Sequence, residues 1–178
     1  MKILFVVGMP NSGRTTIVEK AKQLGIHTIT IDEIIDEEIR KKGLYLTPEN
    51  KGKVLMWFYE NNNELMRRVI DKIISSRKDK ILVEGFISPK QINGIKERLR
   101  GTEITILGVH RPPGKRLKTD GFLKNEDRFR KLDGLFLDMG TPEVMVMADY
   151  IINNDGDLGD FRRGVKDKLI DILNIKER

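Results

Sequence analysis

Eight residues near the start of the chain, Gly8-Met9-Pro10-Asn11-Ser12-Gly13-Arg14-Thr15, constrain its fold more than any other stretch. They have the spacing G-x-x-x-x-G-[K/R]-[S/T], directly after the apolar run Lys2 to Val7 and directly before a helical pattern. That pattern, Thr15 to Leu24, puts Ile17, Val18, Ala21 and Leu24 on one face and stops at Gly25. Glycines between a strand and a helix permit positive φ and close backbone approach, so successive N–H groups wrap an anion where the helix dipole is positive. The candidate phosphate contacts are Gly8, Pro10, Asn11, Ser12, Gly13, Arg14, Thr15 and Thr16. Lysine is the usual residue at position 14, where it meets phosphate as a compact charge; arginine is longer and clamps phosphate as a fork. Thr15 keeps the hydroxyl that holds magnesium in such loops, and Thr16 offers a second hydroxyl. Asparagine at position 11 tolerates left-handed geometry.

Five short runs rich in Ile and Val read as buried strands: Lys2 to Val7, His27 to Ile31, Ile81 to Glu84, Glu103 to Val109 and Asp149 to Asn153. Helical patterns separate them. Thr47-Pro48-Glu49, Ser88-Pro89 and Thr141-Pro142-Glu143 each place a hydroxyl at an N-cap and proline at the first helical position. Asp32 to Arg40 runs from acids to bases, as the helix dipole favours. A last helix from about Leu158 turns Phe161, Val165, Leu169 and Ile172 inward. Alternating strands and helices imply a parallel sheet covered on both faces, because each parallel connection needs a crossover. The class is α/β, and 178 residues suit one domain, 1–178. Two stretches exceed a simple crossover: about 33–77 and about 111–131.

The third strand ends in Ile81-Leu82-Val83-Glu84-Gly85-Phe86, which sets Glu84 at the carboxyl edge of the sheet, where ligands of α/β folds sit. Glu84 is the candidate acid: a magnesium ligand through water, or a group that polarises an attacking oxygen. Asp32 and Glu33 share that topological place, with helix capping as the equal alternative.

Cysteine is absent and only two histidines occur, which removes disulfides and argues against a zinc enzyme. No apolar run is long enough to span a membrane, so a cytoplasmic location is expected. Of the net charge of +6, the segment Arg111 to Lys131 carries eight bases against three acids. Such a local excess suits a polyanionic partner.

With these motifs in place, the chain resembles the P-loop nucleotide kinases, particularly adenylate and dephospho-coenzyme A kinases, and most closely an archaeal adenylate-kinase-related group. The likeness runs through Gly8-Met9-Pro10, Gly43-Leu44, Thr47-Pro48-Glu49-Asn50, Gly52-Lys53-Val54, Glu84-Gly85 and Ala148-Asp149-Tyr150-Ile151-Ile152-Asn153-Asn154. The resemblance implies a three-layer sandwich around a five-stranded parallel sheet in the order 2-3-1-4-5. It also implies an acceptor-binding helical insertion at about 33–77 and a short basic lid at about 111–131. By position, Arg116 and Arg128 look like lid arginines that neutralise transferring phosphates, and Asn153 with Asn154 look like the turn beside an adenine ring. Two arginines of the pattern are missing. The one after the third strand gives way to Glu84-Gly85-Phe86-Ile87-Ser88, and the one on the helix after the second strand to Asp36; Arg40, Arg67 and Arg68 are the substitutes at hand.

The leading expectation is a phosphotransferase that moves the γ-phosphoryl of ATP or GTP, with Mg2+, to a nucleoside monophosphate such as AMP or to a similar nucleotide. Arg14, Glu84, Arg116 and Arg128 would act in catalysis, with Thr15 and Glu84 on the metal. The alternative is a nucleotide-binding sensor with little or no turnover, which the replaced lysine and arginines favour. RNA binding through the basic segment is disfavoured, because Phe122 and Phe129 are the only aromatics there. Trp57, Phe58 and Tyr59 fall beside the acceptor region, and helical packing is their simpler reading.

Overall fold

The computed structural model describes residues 1–85, 88–118 and 126–175. Within them β1 (Lys2–Gly8), β2 (His27–Thr30), β3 (Lys80–Glu84), β4 (Glu103–His110) and β5 (Tyr150–Asn153) form one sheet in the order β2-β3-β1-β4-β5, as expected. Every pairing is parallel. The alternation of side chains along a strand divides the core in two. From β1, Ile3, Phe5 and Val7 enter one cluster and Leu4 and Val6 the other, all essentially inaccessible to solvent.

The second cluster is closed by α1 (Arg14–Gln23) and α9 (Leu158–Leu173). Phe161, Val165, Leu169 and Ile172 of α9 are buried there, and Asp157 caps its start through the amides of Gly159 and Asp160. The first cluster is closed by α2 (Ile31–Lys41), α3 (Pro48–Glu60), α4 (Asn62–Ser76), α5 (Pro89–Arg98), α7 (Glu126–Asp138) and α8 (Thr141–Val146). A short α6 (Pro113–Leu117) follows β4. Phe58 is fully buried in this cluster, so packing accounts for it, while Trp57 and Tyr59 are partly buried against the same core.

Thr30 and Ser88 each form a reciprocal capping box with the residue three positions on, Glu33 and Gln91, and Thr47 caps α3 through the amide of Asn50. Glu33 is therefore a capping acid. Thr141 departs from the N-cap expected of it: Gly140, at φ +86°, takes that place, and Thr141 becomes the first helical residue, buried with its hydroxyl unpaired. A left-handed glycine turns the chain into α8 one residue earlier than a hydroxyl cap would.

Glu64, in the first turn of α4, accepts hydrogen bonds from Arg67 and Arg68. Those bonds hold its carboxyl down from 4.5 to about 2. Because the folded value lies below the unfolded one, the stabilisation is complete above the unfolded value and is lost as pH falls toward the folded one. Chemical denaturation of Glu64→Gln should show a shallower loss of stability between about pH 5 and about pH 2.5 than the parent chain. An unchanged acid slope would contradict this assignment.

Candidate functional site

All parallel strands end at one edge, and there the loop at 8–15 leaves β1 for α1. Asn11 sits at φ +59° and Gly13 at φ +110°, the left-handed pair the loop requires. Ser12 N–H closes on Met9 O at 3.1 Å and Thr16 N–H on Gly13 O at 3.1 Å. Among the described residues the N–H groups of Asn11, Gly13, Arg14 and Thr15 make no hydrogen bond. Ser12 Oγ, almost wholly buried, also lacks a partner. Four amides left open where a loop enters a helix, with the positive end of the helix dipole behind them, form an anion cradle.

The cradle is braced from outside. Asn154 donates from Nδ2 to Ser12 O at 2.8 Å, and a Cβ on Gly13 would run into that same amide. Asn154 is buried under the loop, and Asn153 is exposed at the end of β5, so only Asn153 of the expected adenine turn faces solvent. Asn11 Nδ2 donates to Arg116 O at 3.1 Å, and Arg111 Nη1 reaches Asn11 O at 3.5 Å.

Arg116, expected as a lid arginine that neutralises transferring phosphates, is buried. On α6 it is 3% exposed, with its guanidinium on Asp133 of α7 at 2.5 and 2.7 Å, on Pro10 O at 3.1 Å and on Arg111 O at 3.1 Å. It also lies over the ring of Phe129, 5.1 Å from its centroid. This arginine carries the loop rather than a solvent-facing charge. Arg128 is exposed on α7, and Arg130 of the same helix pairs with Glu126. Of the basic segment, residues 119–125 lie outside the described residues, Phe122 and Lys124 among them; so do Phe86 and Ile87.

Inside the edge, Arg14 Nη1 stands 2.9 Å from Glu84 Oε1, and its guanidinium covers Phe136 of α7 at 5.3 Å. Both charged side chains are mostly buried. Burial pushes the Glu84 carboxyl up from its ordinary range; the Arg14 charge opposes this, and the charges of Asp32 and Glu33 add to it. The arginine at the lysine position and the strand-end acid thus form one unit at the mouth of the cradle. Thr15 is exposed beside them.

A cleft of about 560 Å3 opens from the loop, through Arg14 and Glu84, toward α2 and α3. Its lining includes the apolar Ile31, Ile35, Leu55, Leu132 and Phe136 and carries Asp32 and Lys51. Lys51 lies 2.8 Å from Asp36. The substitute arginines are engaged elsewhere: Arg67 with Glu64 and Asp71, and Arg68 with Glu64 and with the buried Glu38 at 2.5 Å. Arg67, Arg68 and Arg40 do not line the cleft. Phe136 and Asp133 had no signal in the sequence, since neither belongs to a motif and their approach to the loop is tertiary; Gly52 stood only in the Gly52-Lys53-Val54 stretch of the family likeness, which gave it no place in a cleft.

No group of three or more His, Asp or Glu side chains able to hold a metal occurs among the described residues. No described helix is long and apolar enough to cross a membrane.

No protein-family model matches the chain. A UPF0200 protein of Thermococcus onnurineus is 32% identical to it over 96% of this chain and 98% of that one. A UPF0200 protein of Pyrococcus abyssi is 30% identical, over 92% and 93%. Among solved structures, shikimate kinase from Acinetobacter baumannii in complex with shikimate aligns with TM-score 0.60 and 21% identity over 99% of this chain and 95% of that one. Dephospho-CoA kinase from Campylobacter jejuni aligns with TM-score 0.57 and 19% identity over 98% of both. A sheet in the kinase order, a phosphate-type cradle at its carboxyl edge and archaeal relatives matched along nearly their whole length place the chain in the UPF0200 family, on a P-loop kinase fold.

Proposed function

We propose that the protein binds ATP or GTP with its phosphates in the 8–15 loop and transfers the γ-phosphoryl group to an acceptor in the adjoining cleft. The observation that carries this reading is the juxtaposition of four open amides with the Arg14–Glu84 pair, at the head of a cleft that continues beyond them. A binding site alone would need the cradle. A transferase also needs room for a second molecule, and the α2–α3 side provides it.

The geometry supports a role for each of these residues. The loop amides hold the phosphate chain, and Arg14 meets the transferring group by exchanging Glu84 for phosphate oxygens. Thr15 and Glu84 would hold Mg2+, which would supply charge neutralisation to the phosphates. The Thr15 hydroxyl and the Glu84 carboxylate are oxygen donors of the kind such an ion takes. Glu84, freed from Arg14 and raised by burial, suits either the ion's water shell or an acceptor proton. Arg116 acts as a positioning residue that holds Pro10, and Arg128 remains the candidate for charge neutralisation from α7. Asn154 supports Ser12, and Asn153 adjoins the base of the nucleotide.

The test uses labelled ATP and magnesium with a panel of acceptors: nucleoside monophosphates including AMP, dephospho-coenzyme A, and unphosphorylated alcohols. Glu84→Gln should lower transfer by about 10²-fold while nucleotide binding persists. Arg14→Lys should retain transfer, because lysine also reaches the phosphates. Transfer unchanged in Glu84→Gln would refute the catalytic role. The sensor reading is favoured by the Arg14–Glu84 pair, which neutralises both groups before any ligand arrives. Bound nucleotide with no transfer to any acceptor would establish that reading.

A further inference from the structure

The cleft's charge balance identifies what sits beside the transferring phosphate. Its described lining holds two cations, Arg14 and Lys51, and each faces a carboxylate, Glu84 at 2.9 Å and Asp36 at 2.8 Å. Once Arg14 turns to the donor, the acceptor end keeps Lys51, already paired, and the carboxylate of Asp32, which makes no ion pair among the described residues. A phosphate-bearing acceptor would bring a dianion against that carboxylate with no unpaired cation among the described lining residues, and burying an uncompensated charge is costly. The remaining wall is apolar, from Ile31, Ile35 and Leu55.

Gly52 adds an independent sign of shape. It lies inside α3, where glycine weakens a helix by roughly 1 kcal/mol relative to alanine, and it lines the cleft. A Cβ built there meets no atom within 4 Å, so packing does not require the glycine. The space it leaves belongs to the cleft.

Resting on the phosphotransferase reading, the geometry points to an uncharged alcohol of about nucleoside size as the acceptor, in place of a nucleoside monophosphate. Its body lies against Ile35, Leu55 and Gly52, and its hydroxyl faces Asp32. The hydroxyl oxygen forms a new bond to the γ-phosphorus as the bond from that phosphorus to the β–γ bridging oxygen breaks. The nucleoside diphosphate leaves with that electron pair, and the hydroxyl proton passes to the Asp32 carboxylate and then to water.

The experiment fills the donor site of the full chain with magnesium and a non-hydrolysable ATP analogue. It then titrates adenosine, guanosine, cytidine and uridine against their 5′-monophosphates. At least one nucleoside should bind at least tenfold tighter than its monophosphate. Gly52→Ala should weaken that nucleoside about tenfold with analogue affinity unchanged and no loss of thermal stability. Asp36→Asn, which frees Lys51, should improve monophosphate binding about fivefold. Tighter binding of a monophosphate in the parent chain, binding of none of the eight compounds, or indifference to Gly52→Ala would overturn the proposal. If the analogue itself fails to bind, the phosphotransferase reading fails first, and the two failures are thereby told apart.

Discussion

Asp133→Ala is expected to lower the unfolding free energy by about 3–5 kcal/mol, the usual consequence of stranding a buried charge. The charge left behind is that of Arg116, 3% exposed and fixed between Asp133, Pro10 O and Arg111 O. Because one of those bonds ends on the anion loop, nucleotide affinity should fall along with stability. Arg116→Met in the same chain removes the stranded charge and should restore most of the lost stability, while the loop stays looser than in the parent. Urea denaturation of the two single variants and the double variant measures this. Additive losses would show that the ion pair is not the cause.

Gly13→Ala should abolish measurable nucleotide binding, a loss of at least about 100-fold. At φ +110° an alanine is strained by about 1–3 kcal/mol. Its Cβ would also meet Asn154 Nδ2 and come within 3.1 Å of the Phe161 ring. Relief of these clashes must distort the turn whose amides bind the anion. Adding Asn154→Ala opens space but leaves the backbone strain, so it should rescue stability in part and binding little. Parent-like affinity in Gly13→Ala would mean that the loop does not contact the ligand.

The sequence states the loop almost completely, since glycine spacing, a preceding apolar strand and a following amphipathic helix are local signals that tertiary packing has no cause to override. The five strands were legible for the same reason, and Glu84 from its place at a strand end. The braces were not. Asn154 belongs to a segment read as an adenine turn, yet its amide supports Ser12 from 142 positions away. Arg116 looked like a lid arginine by its position in the resemblance, but Asp133, just beyond that segment, claims its charge. Phe136 reaches Arg14 only because α7 folds across the mouth of the cleft. Local charge counts describe a segment, whereas the sign of a site depends on which carboxylates the fold brings to it. Lys51 and Asp36 make the same point, because α3 delivers to α2 a cation that neutralises the acid standing where an arginine was expected.

On the proposed function, the open amides at Asn11, Gly13, Arg14 and Thr15 receive a nucleotide's phosphates. Titration calorimetry of the purified chain with ATP and magnesium, repeated with GTP and ADP, tests it most directly. Heat should saturate at one nucleotide per chain and be lost in Gly13→Ala. Absence of heat with all three nucleotides, or undiminished heat in that variant, would contradict it.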